Sequence, residues 1–313
     1  DPANYFALVR QAPGAVLLDA GRPQAERGRF DLLSAWPQQT FVPSLGETAA
    51  AFFQRLRSGL EQLGRAEAPA DIELPFTGGL IGYLAYDFGR RIEQLPEQAL
   101  DDLQLPDARF GLYGWALISD HQQCTSQLVF HPQLDASERA RLIALFSQPA
   151  PAVVNNFKLL QAFQGELDAE QYRRAIARIQ AYIQAGDCYQ VNFAQRFQAP
   201  CTGDPWAAYQ ALRAACPTPF AGFQGLPEGG ASLSLAPERY LQVSQGRVAT
   251  RPSKGTRPRG ITPAKDAAEA QQLLDSLKDR AENLMIVDLL RNDLGRSCRI
   301  GSVRVPELFA LES

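Results

Sequence analysis

Four cations stand close together at Arg251, Lys254, Arg257 and Arg259, in a segment, RPSKGTRPRG (251–260), stiffened by proline and punctuated by glycine. No Asp or Glu occurs from Tyr240 to Lys265, although the whole chain carries a net charge of -3. A primary amine crowded by other cations is biased toward its neutral, nucleophilic form, so Lys254 is the first candidate for covalent chemistry on an anionic substrate. The plainer explanation of such a run is a solvated basic face.

Carboxylates follow. A single helix is predicted over 264–290, and on it Asp275, Asp279 and Glu282 fall at i, i+4 and i+7, on one stripe that Lys278 and Arg280 do not share. Asp279 and Glu282, a turn apart, suit a half-site for Mg2+, which takes one or two protein carboxylates and fills its remaining positions with water and substrate oxygens. A wet helix face is the ordinary alternative. Glu238, in APER (236–239), is either a general acid near a strand end or the partner of Arg239. In the strand predicted over 188–199, alternation puts Gln190, Asn192 and Ala194 on one face, which presents amides rather than charges. Two histidines, His121 and His131, and five cysteines without a CxxC pair leave little material for a zinc site, a Ser-His-Asp triad or a disulfide framework. Any catalysis must run on carboxylates, lysine and a hard metal.

The elements that position these residues read as α/β. Strands are expected at 14–20, 30–35, 78–86, 109–118, 126–131, 231–243 and 247–253, and helices at 47–63 and 137–146. A further helix is expected behind Asp168, with Gln171 completing a capping box, Tyr172, Ile176, Ile179 and Ile183 at helical spacing, and Gly186 as the stop. The proline-rich QPAPAVVNN (148–156) is the linker candidate, which divides the chain into an N-terminal region at 1–147, a linker at 148–164 and a second region at 165–313. The longest apolar runs, 80–86 and 284–290, fall short of the roughly 20 residues of a membrane span, and the beginning shows no signal-peptide pattern. A cytoplasmic protein is the expectation.

The motifs AGDCYQVN (185–192), APERYL (236–241), RPSKGTRPRG, KDRAENLMIVDLLRNDLGR (278–296) and GSVRVPELF (301–309) occur in an order that resembles the chorismate-utilising enzymes. LLDAG (17–21), RFDLL (29–33) and PFTGGLIGYLAYDFGRRIE (75–93) extend the resemblance over nearly the whole chain. It implies an α/β sandwich of β/α/α/β order, with two large, mostly antiparallel sheets enclosing helices. The water-using branches of that family carry a lysine where this chain has Gln190, and the anthranilate-forming branch carries a small residue where Lys254 stands. The resemblance therefore implies the branch that aminates chorismate at C4, toward p-aminobenzoate and folate. Lys254 would attack C2, Glu238 would assist loss of the C4 hydroxyl, Glu282 with Asp279 would hold Mg2+, and Gln190, Gly255 and Thr256 would lie near the substrate. Ammonia would come from a separate glutamine amidotransferase, since nothing here resembles a glutaminase nucleophile. The family's catalytic region runs on past the point where this sequence stops, so part of the site is expected to be missing. Ala20, Arg27 and Gly28 stand where the family's tryptophan pocket, bordered by a Pro-Phe such as Pro219-Phe220, would present polar or aromatic contacts, so no tight tryptophan site is expected. Anthranilate formation is the alternative within the family. Outside it, a non-catalytic anion-binding or nucleic-acid-binding module is disfavoured by the acidic net charge and by the lack of aromatics between the arginines.

Overall fold

The computed structural model describes residues 2–23, 25, 28–69, 72–151 and 156–311. In chain order the first part comprises α1 (Pro2–Phe6), β1 (Val16–Asp19), β2 (Phe30–Ser34), β3 (Gln39–Phe41), α2 (Ala49–Leu63), β4 (Gly79–Leu84), a 3-10 turn at Tyr86–Arg91, β5 (Ala108–Tyr113), β6 (Trp115–Asp120), β7 (Thr125–Phe130) and α3 (Ala136–Phe146). The second comprises β8 (Lys158–Leu159), β9 (Gln164–Gly165), α4 (Ala169–Ala185), β10 (Phe197–Gln198), β11 (Cys201–Thr202), α5 (Pro205–Ala215), β12 (Phe220–Gly225), β13 (Ala231–Ala236), β14 (Gln242–Ser244), β15 (Arg247–Ala249), α6 (Pro263–Asp275) and α7 (Leu277–Ser297).

Six antiparallel strands in the order β13-β12-β1-β2-β6-β7 make the main sheet, so strands from before and after the predicted linker share one ladder. Registration explains why. Leu233, Phe223, Leu17, Leu33, Leu117 and Leu128 are successive cross-strand partners across all six strands, and all pack into one apolar cluster. A slip of one residue would turn that row to the other face. The cluster is closed by Phe6 of α1, Leu142 of α3 and Trp206 and Tyr209 of α5, with the Trp206 and Phe223 rings edge to face at 5.3 Å.

The opposite face packs Val16, Leu32, Ala116 and Ile118 against Ile81 and Tyr113 of a three-stranded sheet ordered β3-β5-β4. That sheet in turn covers Phe52, Leu56 and Leu63 of α2 with Phe41 and Leu112. Strand and loop residues, Leu74 and Phe76 among them, fill the seam between the two sheets, while α1, α3 and α5 pack on the other face of the main sheet and α2 on that of the smaller one. The α/β class with antiparallel sheets stands.

Several element boundaries differ from the expectations. The apolar run expected as one strand over 109–118 is two, β5 and β6, because the chain passes from one sheet to the other at Gly114, where a Cβ would stand 2.8 Å from Gln38 Nε2. The strand expected over 188–199 reduces to β10, which pairs only with the two residues of β9. That expected over 231–243 stops at Ala236 and resumes as β14. The single helix expected over 264–290 is broken at Ser276, which ends α6 and caps α7 by accepting the Asp279 N–H at 3.3 Å. Asp275 and Asp279 therefore lie on different helices, and the three-acid stripe does not exist. The capping box of Asp168 and Gln171 and the left-handed stop at Gly186, φ 84°, are as expected. Ala152–Asn155 of the linker candidate, and Arg27, lie outside the described residues. None of the helices is long and apolar enough to cross a membrane, among the described residues.

Candidate active site

A hairpin brings Glu238 to the backbone of Ser253, the residue before Lys254. β14 and β15 pair as Gln242↔Ala249, Val243↔Val248 and Ser244↔Arg247, and the turn between them, Gln245-Gly246, has both φ angles positive at 49° and 73°. Such turns suit the right-handed twist of paired strands. Carried outward, the same register sets Tyr240 across from Arg251 and Glu238 across from Ser253. The contacts follow it: Thr250 Oγ1 donates to the Tyr240 carbonyl at 2.6 Å, and the Ser253 N–H donates to Glu238 Oε1 at 2.8 Å. Lys254, half-buried, is the next residue. Glu238 does not pair with Arg239, whose guanidinium lies 5.9 Å from the Phe220 ring centroid.

Beyond Lys254 the loop turns onto the helices. Gly255, at φ +81°, approaches Asp279 and Leu273 so closely that a Cβ would stand 2.9 Å from each. Arg257 Nη2 donates to Asp279 Oδ2 at 3.1 Å, while Arg259 donates to both oxygens of Asp266 at 2.8 and 2.9 Å and the Gly260 N–H donates to Asp266 Oδ1 at 2.8 Å. The Ser276 hydroxyl and the Arg257 guanidinium hold the Asp279 carboxyl below the usual aspartate range; Arg259 and the Gly260 amide do the same for Asp266. The acids missing from the basic loop are thus supplied from α6 and α7. Sequence periodicity overlooked Ser276-x-x-Asp279, a capping pattern that marks a helix start and would have located both the break and Asp279.

The remaining candidates are placed as follows. Glu282 lies one turn after Asp279 on α7, half-buried, and its carboxylate has no ion-pair or hydrogen-bond partner among the described residues. Asp275 accepts from Gln271 Nε2 at 3.0 Å, an ordinary surface contact. Thr256 is exposed, and its carbonyl accepts from Arg257 Nη1 at 2.9 Å. Gln190 Nε2 donates to Asn192 Oδ1 at 3.2 Å, so the two amides share a side even without a ladder, and Gln190 Oε1 is buried without a partner. No group of three or more His, Cys, Asp or Glu side chains gathers as a metal cluster among the described residues. One free carboxylate, Glu282, still fits a hard cation that draws its other ligands from substrate and water.

At the end of β1 a second polar group is closed on itself. Asp19 pairs with Arg213 and accepts from the Tyr209 hydroxyl at 3.1 Å, and Asp31 accepts from the Ala20 N–H and meets His121 Nε2, each at 2.6 Å. Gly28 packs so tightly on Ala20 that a Cβ there would stand 2.7 Å from that of Ala20.

Comparison with known proteins bears on this geometry. Residues 14–313 match a family model described as chorismate binding enzyme. The chain is 44% identical over 320 residues to aminodeoxychorismate synthase component 1 of Salmonella typhimurium, covering 99% of this chain and 69% of the relative. It is 35% identical over 327 residues to anthranilate synthase component 1 of Thermus thermophilus, covering 98% of this chain and 68% of that protein. Among solved structures, anthranilate synthase component I of Streptococcus pneumoniae superposes with a TM-score of 0.70 at 24% identity, over 87% of this chain and 62% of that one. That likeness speaks to the fold.

Proposed function

Because the chain belongs to the chorismate binding enzymes, we propose that it is the aminating component of an aminodeoxychorismate synthase, converting chorismate and ammonia to 4-amino-4-deoxychorismate. The observation that carries this reading is the hairpin register that sets Glu238 beside the backbone of Ser253, next to Lys254. The higher identity to the aminodeoxychorismate synthase component than to the anthranilate synthase supports the same branch.

In the proposed reaction the Lys254 amine forms a bond to C2 of chorismate as the C4–O bond breaks and the ring double bond shifts. Glu238 gives its proton to the departing hydroxyl, which leaves as water. Ammonia then bonds at C4, the double bond shifts back, and the C2–N bond of the protonated Lys254 adduct breaks, which frees the lysine as a neutral amine; the ammonium formed at C4 returns a proton to the Glu238 carboxylate. Arg257 and Arg259 are held by Asp279 and Asp266, so they keep the loop in place rather than meeting the substrate dianion directly. Gln190, Gly255 and Thr256 are assigned to the substrate's surroundings. Glu282 is the residue that would hold Mg2+, with Asp279 one turn away. When bound, the ion would orient a substrate carboxylate and spread the charge that develops at the leaving group. The relatives are named component 1, which implies a second component; a glutamine amidotransferase supplying ammonia is the partner proposed. Residues 1–147 and 165–313, joined by 148–164, are read as platform and catalytic region, with location in the cytoplasm.

Replacing Lys254 by Ala in the full-length protein tests the assignment. Formation of 4-amino-4-deoxychorismate from chorismate, ammonia and Mg2+ should fall by about 10³-fold or more, the scale of losing a covalent partner. Anthranilate appearing as the main product of the native protein would favour the other branch.

A further inference from the structure

Asp279 is placed to do something other than bind a cation. Its carboxylate lies under Gly255, whose missing Cβ would stand 3.0 Å from Asp279 Cγ, and it receives Arg257 at 3.1 Å. The Asp279 side chain is 13% exposed and that of Arg257 33%, so the pair is partly shielded from water. A divalent cation on the same carboxylate would stand beside the Arg257 guanidinium, and one aspartate cannot neutralise both. Asp266 makes a second attachment further along, where Gly260 comes so near that a Cβ would meet the Asp266 backbone nitrogen at 2.1 Å. On the other side of Lys254 the loop is held by Glu238 through Ser253. The lysine therefore lies on a short span fastened at both ends, and the downstream fastening nearest to it is Asp279.

We propose that Asp279 is a positioning residue: by holding Arg257 and supporting Gly255 it fixes the loop that presents Lys254, and it leaves Glu282 alone on that turn for the cation. Its consequence for catalysis rests on the reading of Lys254 as nucleophile; the fastening itself does not.

Trypsin offers a direct test in the full-length protein. Proline follows Arg251 and Arg257, so the cleavable bonds of the loop are Lys254–Gly255 and Arg259–Gly260. In D279N and in R257Q, cleavage at Lys254–Gly255 should quicken by about tenfold, the response of a segment whose local closure is weakened. The exchanged pair R257D/D279R should return the rate to within about threefold of the native value, because the attraction is restored with its ends reversed. Kinetically, D279N should lower kcat and leave the Mg2+ concentration for half-activation unchanged, whereas E282Q should raise that concentration. Should the exchanged pair not fold, D279N and R257Q decide the matter by themselves. Native-like cleavage in D279N, or a rise in its Mg2+ requirement equal to that of E282Q, overturns the proposal. If the native protein shows no turnover of chorismate while D279N is cleaved faster, the fastening stands and it is the functional reading that fails.

Discussion

At the scale of single residues the site depends on a strand register. Glu238 and Lys254 flank one hairpin, 16 positions apart in sequence, and the β14–β15 ladder carries one across from the neighbour of the other. Glu238→Gln removes the transferable proton while keeping an oxygen to accept the Ser253 N–H. It should slow amination by about 10²- to 10⁴-fold, the range for a lost general acid, with the thermal midpoint unchanged. A matching loss of stability would assign Glu238 to structure instead. Asp266 and Asp279 carry a pH dependence of definite sign. Each carboxyl is held below its unfolded value, so its contribution is present above that value and lost as pH falls through the lowered one. The Gly260 amide, bonded to Asp266, should report this in an NMR titration with a midpoint below about 3.9, the ordinary aspartate value. A midpoint at or above that value would show that the loop is not docked. Lysine, the carboxylates and the amide at Gln190 were all legible as residue types; the Arg257–Asp279 pairing was not, because it joins a loop to a helix across the α6–α7 break.

At the scale of elements, the sequence pattern located most strands and helices but not their interruptions. One apolar period spans Gly114, and only the presence of two sheets to receive it makes the run two strands. One helical period spans Ser276, where a hydroxyl able to cap competes with continuation of the helix. Ser276→Ala should weaken the start of α7 by about 1 kcal/mol, seen as faster amide exchange at residues 277–280, with α6 unaffected. Equal exchange in both proteins would mean that the cap contributes nothing. In the three-stranded sheet Gly82 admits no side chain, since a Cβ would lie 2.0 Å from the Arg109 carbonyl oxygen on the paired strand. Gly82→Ala must part β4 from β5 and should cost about 1–3 kcal/mol in chemical denaturation, as overpacking does.

At the scale of the whole molecule, packing is uneven. The row from Leu233 to Leu128 and the rings of Phe6, Trp206, Tyr209 and Phe223 join α1, α5 and both stretches of the main sheet into one body. Trp206→Ala should remove about 3–5 kcal/mol from that body, measured by denaturant midpoint. By contrast α4, α6 and α7 bury no residue, and Leu277, Leu284, Leu289 and Ile300 are exposed. Apolar surface of that kind favours association, so the 313-residue chain should scatter light as more than a monomer. Exchange should be slow in β1, β2, β6 and β12 and fast in α6 and α7. The body was thus readable from apolar alternation, while the basic loop sits on the loosely packed helices, where periodicity says least about contacts. The central claim, that this protein aminates chorismate through Lys254, meets its most direct test in the product formed by the full-length protein. With chorismate, saturating ammonia and Mg2+, the native protein should yield 4-amino-4-deoxychorismate and Lys254→Ala almost none; an unchanged turnover number in Lys254→Ala would contradict the account.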